Sequence, residues 1–250
     1  IAPDYQEGAL EILRKKKGGK FRVVKINPEY EPEPLERRQI FGLELEQHRN
    51  DFIPDAEFFS NVVTQNTQLS RAAIRDLTVA TIGVKYTQSN SVVLAVDGQL
   101  VGVGAGQQSR IHCVRLAADK ADRWYLRQHP AVRDIRFAKG LRRAHRDNAI
   151  DLFFEQELTG AEQSAWETCF RSVPDRLSTS ERKGWLDSMQ GVALSSDAFF
   201  PFRDNIDRAS RSGVEYVVEA GGSIGDDSII TAANEYGMVV VFSGVRLFHH

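Results

Sequence analysis

The sequence predicts an α/β fold built on a parallel or mixed sheet. Three observations carry this expectation. Strand-like and helix-like stretches alternate over residues 193–243, the pattern of strands joined by crossover helices. A hairpin signal, Asp97-Gly98 between the apolar runs SVVLAV and QLVGVGA, lies upstream. Tight hairpin turns favour Asp-Gly because both central residues take φ > 0. Two stretches, 71–86 and 109–128, place apolar residues at i, i+3, i+4 spacing and read as helices with one buried face.

Composition narrows the function classes. The 250 residues are 42% hydrophobic and 26% charged, ordinary for a globular protein, with a net charge of −2. That charge gives no reason to expect a polyanion partner. No apolar run approaches the ~20 residues of a membrane helix, and no signal-peptide pattern is evident. Two separated cysteines, Cys113 and Cys169, read as reduced thiols of a cytosolic protein. The chain opens Ile1-Ala2-Pro3, which reads as the interior of a longer polypeptide.

In chain order, residues 4–17 read as a helix capped by Asp4 and closed by Lys15, Lys16 and Lys17 before Gly18-Gly19. Cations suit a helix C-terminus, so the lysines need no binding role. FRVVKI (21–26) reads as a strand, 28–38 as an extended Pro/Glu connector, and QIFGLELE (39–46) as a second strand. A short helix is expected over 55–66, with Phe58, Phe59, Val62 and Val63 inward. Ser70 caps the helix to 86, and the hairpin follows.

Gly102-Val103-Gly104-Ala105-Gly106 invites a dinucleotide-binding reading, but no glycine stands three residues after the second. Glycines there suit close backbone approach or a bulge instead. Ser109 starts the next helix, with Ile111, Val114, Ala118, Ala121 and Tyr125 inward. Arg110 falls in its first turn, where a cation is unfavourable unless an anion is near. The anion is either a bound carboxylate or phosphate, or a neighbouring acidic side chain; the residues alone leave both open.

Pro130 ends that helix, and 131–192 reads as a helical insertion. Thr159…Glu162 and Ser178…Glu181 are capping boxes. Trp166, Phe170, Trp185 and Leu186 are assigned to packing, and Arg142–Arg146 to a solvated surface. Residues 193–200 read as a strand containing a buried Asp197, which needs a partner or a cation. A helix from about Phe202 to Arg211, a strand at 216–219, a helix 227–236 capped by Asp226 and a strand at 239–242 complete the chain. Loops after the strands at 193–200 and 216–219 fall on one sheet edge, where α/β proteins keep ligands.

The residues exclude several chemistries. There is no HxE or PCxxC zinc set, no GxSxG and no P-loop. Taken alone they support an anion-binding α/β domain without an identifiable nucleophile or base.

Four motifs go further. KYTQSNSV (85–92), GAGQQSRIHC (104–113), SSDAFFPFRDN (195–205) and RLFHH (246–250) resemble the C-terminal half of the transformylase domain in the AICAR transformylase/IMP cyclohydrolase family. The resemblance runs over essentially the whole chain. KKKGG and FGLELEQHRND look like the eukaryotic branch, and the family's own ending accounts for His249-His250.

The resemblance implies two cytidine-deaminase-like subdomains without zinc: residues 1–50 would finish the first, and 51–250 would form the second, with 131–192 as its helical insertion. It implies formyl transfer from 10-formyltetrahydrofolate to AICAR, giving FAICAR in purine biosynthesis. A homodimer with shared sites and a cytosolic location follow. An N-terminal cyclohydrolase domain would close the ring to IMP. Asn90, Arg110, Phe199 and Arg246 match positions around AICAR, and Ile111, Asp204, Ser223 and Ile224 positions around the folate. Val84, Thr87, Ser89, Ser91, Asp197 and Leu247 match a potassium site. The family's catalytic Lys-His pair has no counterpart in this chain, so a non-catalytic binding or dimerisation module is the alternative. Phe242-Ser243-Gly244-Val245 also departs from the His-Thr-Asn-Leu of animal members.

Overall fold

A parallel trio of strands sets the architecture. In the computed structural model, which describes residues 1–155 and 157–249, the chain divides into a unit over Ile1–Asp51 and a larger one from Phe52 onward.

The first unit holds helix α1 (Glu7–Lys15) and the antiparallel hairpin β1 (Leu35–Ile40) and β2 (Leu43–His48). None of its residues is buried. Four expectations change here. The helix begins at Glu7; Asp4 instead accepts the Tyr5 N–H and pairs with Lys25 at 2.9 Å. Lys16 and Lys17 lie past α1, in a 3₁₀ turn where Lys17 and Gly18 have positive φ. FRVVKI makes a single bridge, Ala2 to Lys25, because its exposed apolar residues find no second strand to ladder with. The stretch 39–46 is two strands, not one, and β1 begins inside the supposed connector. Phe41 (φ 50°) and Gly42 (φ 82°) form its turn, which lacks the usual Asn-Gly or Asp-Gly signal.

The larger unit contains five strands in the order β4-β3-β5-β6-β7. Strands β3 (Val92–Val96) and β4 (Gln99–Gly104) form the expected hairpin, with Asp97 and Gly98 at φ 50° and 73°. Strand β5 (Val192–Ser196) runs antiparallel to β3. Strands β6 (Val214–Glu219) and β7 (Val239–Phe242) continue parallel to β5. This is the mixed α/β sheet the sequence implied. Helix α2 (Arg71–Lys85) covers one face through Leu77, Ala80 and Val84. Helices α3 (Arg110–Leu126), α8 (Asp204–Ser210) and α9 (Asp226–Glu235) cover the other.

Between α3 and β5 lie α4 (Pro130–Arg133), α5 (Arg143–Phe153), α6 (Gly160–Glu167) and α7 (Thr179–Leu186). They build a satellite core of their own around Phe153, Trp166 and Phe170. Both capping boxes are formed, and Trp166 meets Phe170 edge-to-face at 4.7 Å. The Arg142–Arg146 run is exposed.

Three local expectations fail in this unit. Residues 55–66 contain only a 3₁₀ turn at Glu57–Phe59. Beyond it the chain extends along the open side of β7, where Val63 N–H donates to Val240 O at 2.9 Å. Covering a strand edge satisfies groups that a helix would leave open. Strand β5 stops at Ser196, so Asp197 and Phe199 belong to the loop that follows. Helix α9 is capped by Gly225; Asp226 reaches back to the N–H groups of Gly222 and Ser223.

Two glycines decide where α3 sits. A Cβ on Gly102 would lie 2.0 Å from Ala117 O, and one on Gly104 2.0 Å from Cys113 O. The helix backbone therefore rests directly on β4, and Cys113 and Ala117 fill the inward stripe more completely than the half-buried Ile111 and Tyr125. At the other end of the hairpin, Asp76 of α2 accepts the N–H groups of Asp97 (3.0 Å) and Gly98 (2.6 Å). Burial pushes the Asp76 carboxyl up, but these bonds and Arg75 outweigh it and hold the carboxyl below its usual value. Gly102→Ala is expected to destabilise the protein by about 3 kcal/mol, because the clash is with backbone. Urea unfolding measures this; an unchanged midpoint would contradict the close approach.

Candidate functional site

The carboxyl ends of β5, β6 and β7 lie at one edge, because the three strands are parallel. Val92, which opens β3, pairs with both Ser196 and Gly104, so the segments 87–91 and 105–110 reach the same edge. Topology thus collects the four sequence motifs in one place.

At the centre is a buried ion pair. Arg110 of α3 is hydrogen-bonded to Asp197, whose exposure is 0%. The guanidinium also donates to Ser91 O (3.1 Å) and to Asn90 Oδ1 (3.2 Å). Asn90 in turn donates to Gln107 O at 3.0 Å. The second Asp197 oxygen accepts Ser91 N–H at 3.0 Å, and Asp197 O accepts Leu247 N–H at 2.8 Å. Asp197 is the neighbouring carboxylate that one reading of Arg110 called for. Arg110 has five N–H donors, so this pairing does not exhaust it.

Phe199 and Arg246 form a second cluster. Phe199 is half-buried; the guanidinium of the exposed Arg246 stands 5.6 Å from its ring centroid. A flat apolar face beside a planar cation suits a ring with an anionic arm. Arg246 is approached from β7 through the unexpected segment. There Ser243 N–H donates to Glu219 O (2.8 Å) and Gly244 N–H to Ala220 O (3.0 Å).

The four residues matched to folate share the edge. Ile111 is half-buried beside Arg110 on the first turn of α3. Asp204 is exposed at the start of α8. Ser223 accepts Gly225 N–H at 3.0 Å, and Ile224 at the loop tip is fully exposed. That loop packs tightly on the 198–203 loop, since a Cβ on Gly225 would lie 2.7 Å from Pro201 O.

Of the six residues matched to potassium, Val84 and Thr87 lie at the C-terminus of α2, Ser91 and Asp197 bond each other beside Arg110, and Ser89 and Leu247 join the two through the C-terminal tail. Val84 O accepts Thr87 N–H (3.0 Å), Ser89 Oγ accepts His249 N–H (2.9 Å), and Leu247 packs against Val84. Ser91 is buried and its Oγ has no partner among the described residues. An orphaned buried hydroxyl is chemistry that fits a hard cation. Asp197 does not require one for its charge, because Arg110 already supplies the countercharge. Among the described residues no group of three or more His, Cys, Asp or Glu is placed to hold a metal. His250, the last residue of RLFHH, lies outside the described residues.

Comparison with known proteins relates this sequence to a family. Residues 1–120 match the family described as the AICARFT/IMPCHase bienzyme. The chain is 33% identical over 252 residues to the bifunctional purine biosynthesis protein PurH of Magnetococcus marinus, covering 100% of this chain and 37% of that protein. It is 33% identical over 251 residues to PurH of Xanthomonas axonopodis, covering 100% of this chain and 35% of that one. Over its whole length the chain is similar to members of the AICAR transformylase/IMP cyclohydrolase family. It spans about a third of the length of these curated relatives.

Glu219 is the residue that sequence reading missed. It ends β6 with an exposure of 1%. Oε2 accepts the Phe200 N–H, and Oε1 has no partner among the described residues. Burial pushes its carboxyl up to about 8; the Phe200 N–H opposes this, Asp226 adds to it and Arg110 opposes it. The available signal was an acidic residue at an inward position of VEYVVE. Because the carboxyl ionises near its ordinary value when unfolded, its stabilisation is complete below about 4.5 and is lost as pH rises toward about 8. The melting temperature of the wild type should therefore fall relative to Glu219→Gln between pH 5 and 8, as about one proton is lost on unfolding. Parallel curves in thermal melts across that range would contradict the raised carboxyl.

Proposed function

We propose that this chain is the AICAR- and folate-binding half of a formyltransferase, acting in the cytosol in purine (IMP) biosynthesis. The observation that carries the reading is the Phe199–Arg246 pair beside the Asn90–Arg110–Asp197 cluster. Similarity to the bifunctional purine biosynthesis proteins supplies the reaction class.

In this reading Phe199 receives the imidazole ring of AICAR, and the Arg246 fork takes its 5′-phosphate. Asn90 and the remaining donors of Arg110 contact the nucleotide between them. Ile111, Asp204, Ser223 and Ile224 hold 10-formyltetrahydrofolate, with the Asp204 carboxylate accepting from amino and ring N–H groups. Val84, Thr87, Ser89, Ser91, Asp197 and Leu247 would hold a potassium ion, which would supply a fixed positive charge. The orphaned Ser91 hydroxyl supports this.

The chain's contribution is orientation. Holding the amine of AICAR against the formyl donor removes translational freedom from a bimolecular step. Proton transfer and stabilisation of the transferring formyl group belong to a Lys-His pair outside this chain. The unit over Ile1–Asp51 corresponds to the end of a first transformylase subdomain, and the larger unit to the second. The working form is a homodimer whose sites draw on both copies.

Formyl transfer assayed with the full-length protein tests the assignment. Arg246→Ala should raise KM for AICAR by about 10- to 100-fold, the worth of charge-assisted hydrogen bonds to a phosphate. KM for the folate should change little. An unchanged KM for AICAR would remove Arg246 from the site.

A further inference from the structure

Glu219 bonds to neither Phe199 nor Arg246, yet its bonds lead to the backbone beside each of them. It ends the middle strand of the parallel trio, at the ligand edge. Its side chain accepts the N–H of Phe200, the residue after Phe199. Its main-chain oxygen accepts Ser243 N–H at 2.8 Å and Ser243 Oγ at 3.1 Å, three residues before Arg246. The ring and the cation therefore hang from one residue, on opposite sides.

A stability role does not explain this side chain. An apolar residue would fill the end of an apolar strand without burying an unpaired oxygen, and an unpaired buried polar atom is costly. Oε1 is such an atom among the described residues. What Glu219 adds over an apolar residue is the bond to Phe200. That bond fixes the backbone next to Phe199 against the strand that also carries the Arg246 segment.

We infer that Glu219 is a positioning residue that sets the separation of Phe199 and Arg246, and through it the affinity for AICAR. The inference rests on the reading that these two residues hold the nucleotide. Arg110 on α3 and Asp226 on α9 are the charged groups that act on the Glu219 carboxyl. A neutral acid and an amide share one shape, and each keeps an oxygen to accept from Phe200. Glutamine should therefore substitute for glutamate here, whereas methionine, of similar length and fit for an apolar interior, should not.

The test compares wild type, Glu219→Gln and Glu219→Met in two measurements. Calorimetric titration with AICAR reads the affinity, and hydrogen–deuterium exchange of the segment 198–203 reads the loop. Glu219→Gln should bind within about twofold of wild type and keep the segment protected. Glu219→Met should fold, lose about tenfold in affinity and exchange faster over 198–203. Wild-type affinity and protection in Glu219→Met would overturn the inference, as would a loss in Glu219→Gln equal to that in Glu219→Met. If wild type binds no AICAR, the assignment of the nucleotide falls separately. Exchange then still decides whether Glu219 holds the loop: unchanged protection in Glu219→Met rejects it.

Discussion

The Arg110–Asp197 pair is the constraint on which the site is built. Both groups are out of solvent, and an isolated buried charge is not tolerated. Each therefore has to be met by the other and by backbone. Meeting them ties together the first turn of α3, the 90–91 segment and the loop after β5, and the main-chain oxygen of the same Asp197 adds the C-terminal tail at Leu247. Four stretches distant in sequence are held at one edge by one pair. Removing either partner would leave the other uncompensated, a loss of about 3–5 kcal/mol in comparable cases.

The pair can form only because α3 lies close to the sheet. Gly102 and Gly104 let the helix backbone settle on β4, which brings Arg110 level with the carboxyl end of β5. Asp76 pins the far end of the same hairpin by accepting both turn N–H groups. Among the described residues the buried side-chain polar atoms without partners, Ser91 Oγ, Asn205 Oδ1 and Glu219 Oε1, belong to residues around this frame. Buried polar atoms left open where loops converge mark a surface arranged for something other than its own stability.

Where the sequence was legible, a local physical signal carried the element. Asp97-Gly98 specified a tight turn, Ser70 and the two capping boxes specified helix starts, and the alternation over 193–243 specified parallel strands. The failures share a cause in long-range partners. FRVVKI has strand composition but no neighbour to pair with, and 55–66 is extended because β7 offers it an edge. Phe41-Gly42 makes a tight turn without its usual dipeptide. In the site, Asp197 announced itself as a buried carboxylate, but only the fold shows that Arg110 answers it. Glu219 gave almost no signal, since its partner Phe200 is a backbone group nineteen residues away.

The proposed function divides the labour between two arginines: Arg110 is held by Asp197, and Arg246 is left to take the phosphate. A crystal structure with AICAR bound examines it directly. The account predicts the ring against Phe199, the 5′-phosphate on Arg246 and the Arg110–Asp197 pair intact. A phosphate forked onto Arg110 with Asp197 released, or a nucleotide bound away from the carboxyl ends of β5 and β6, would contradict it.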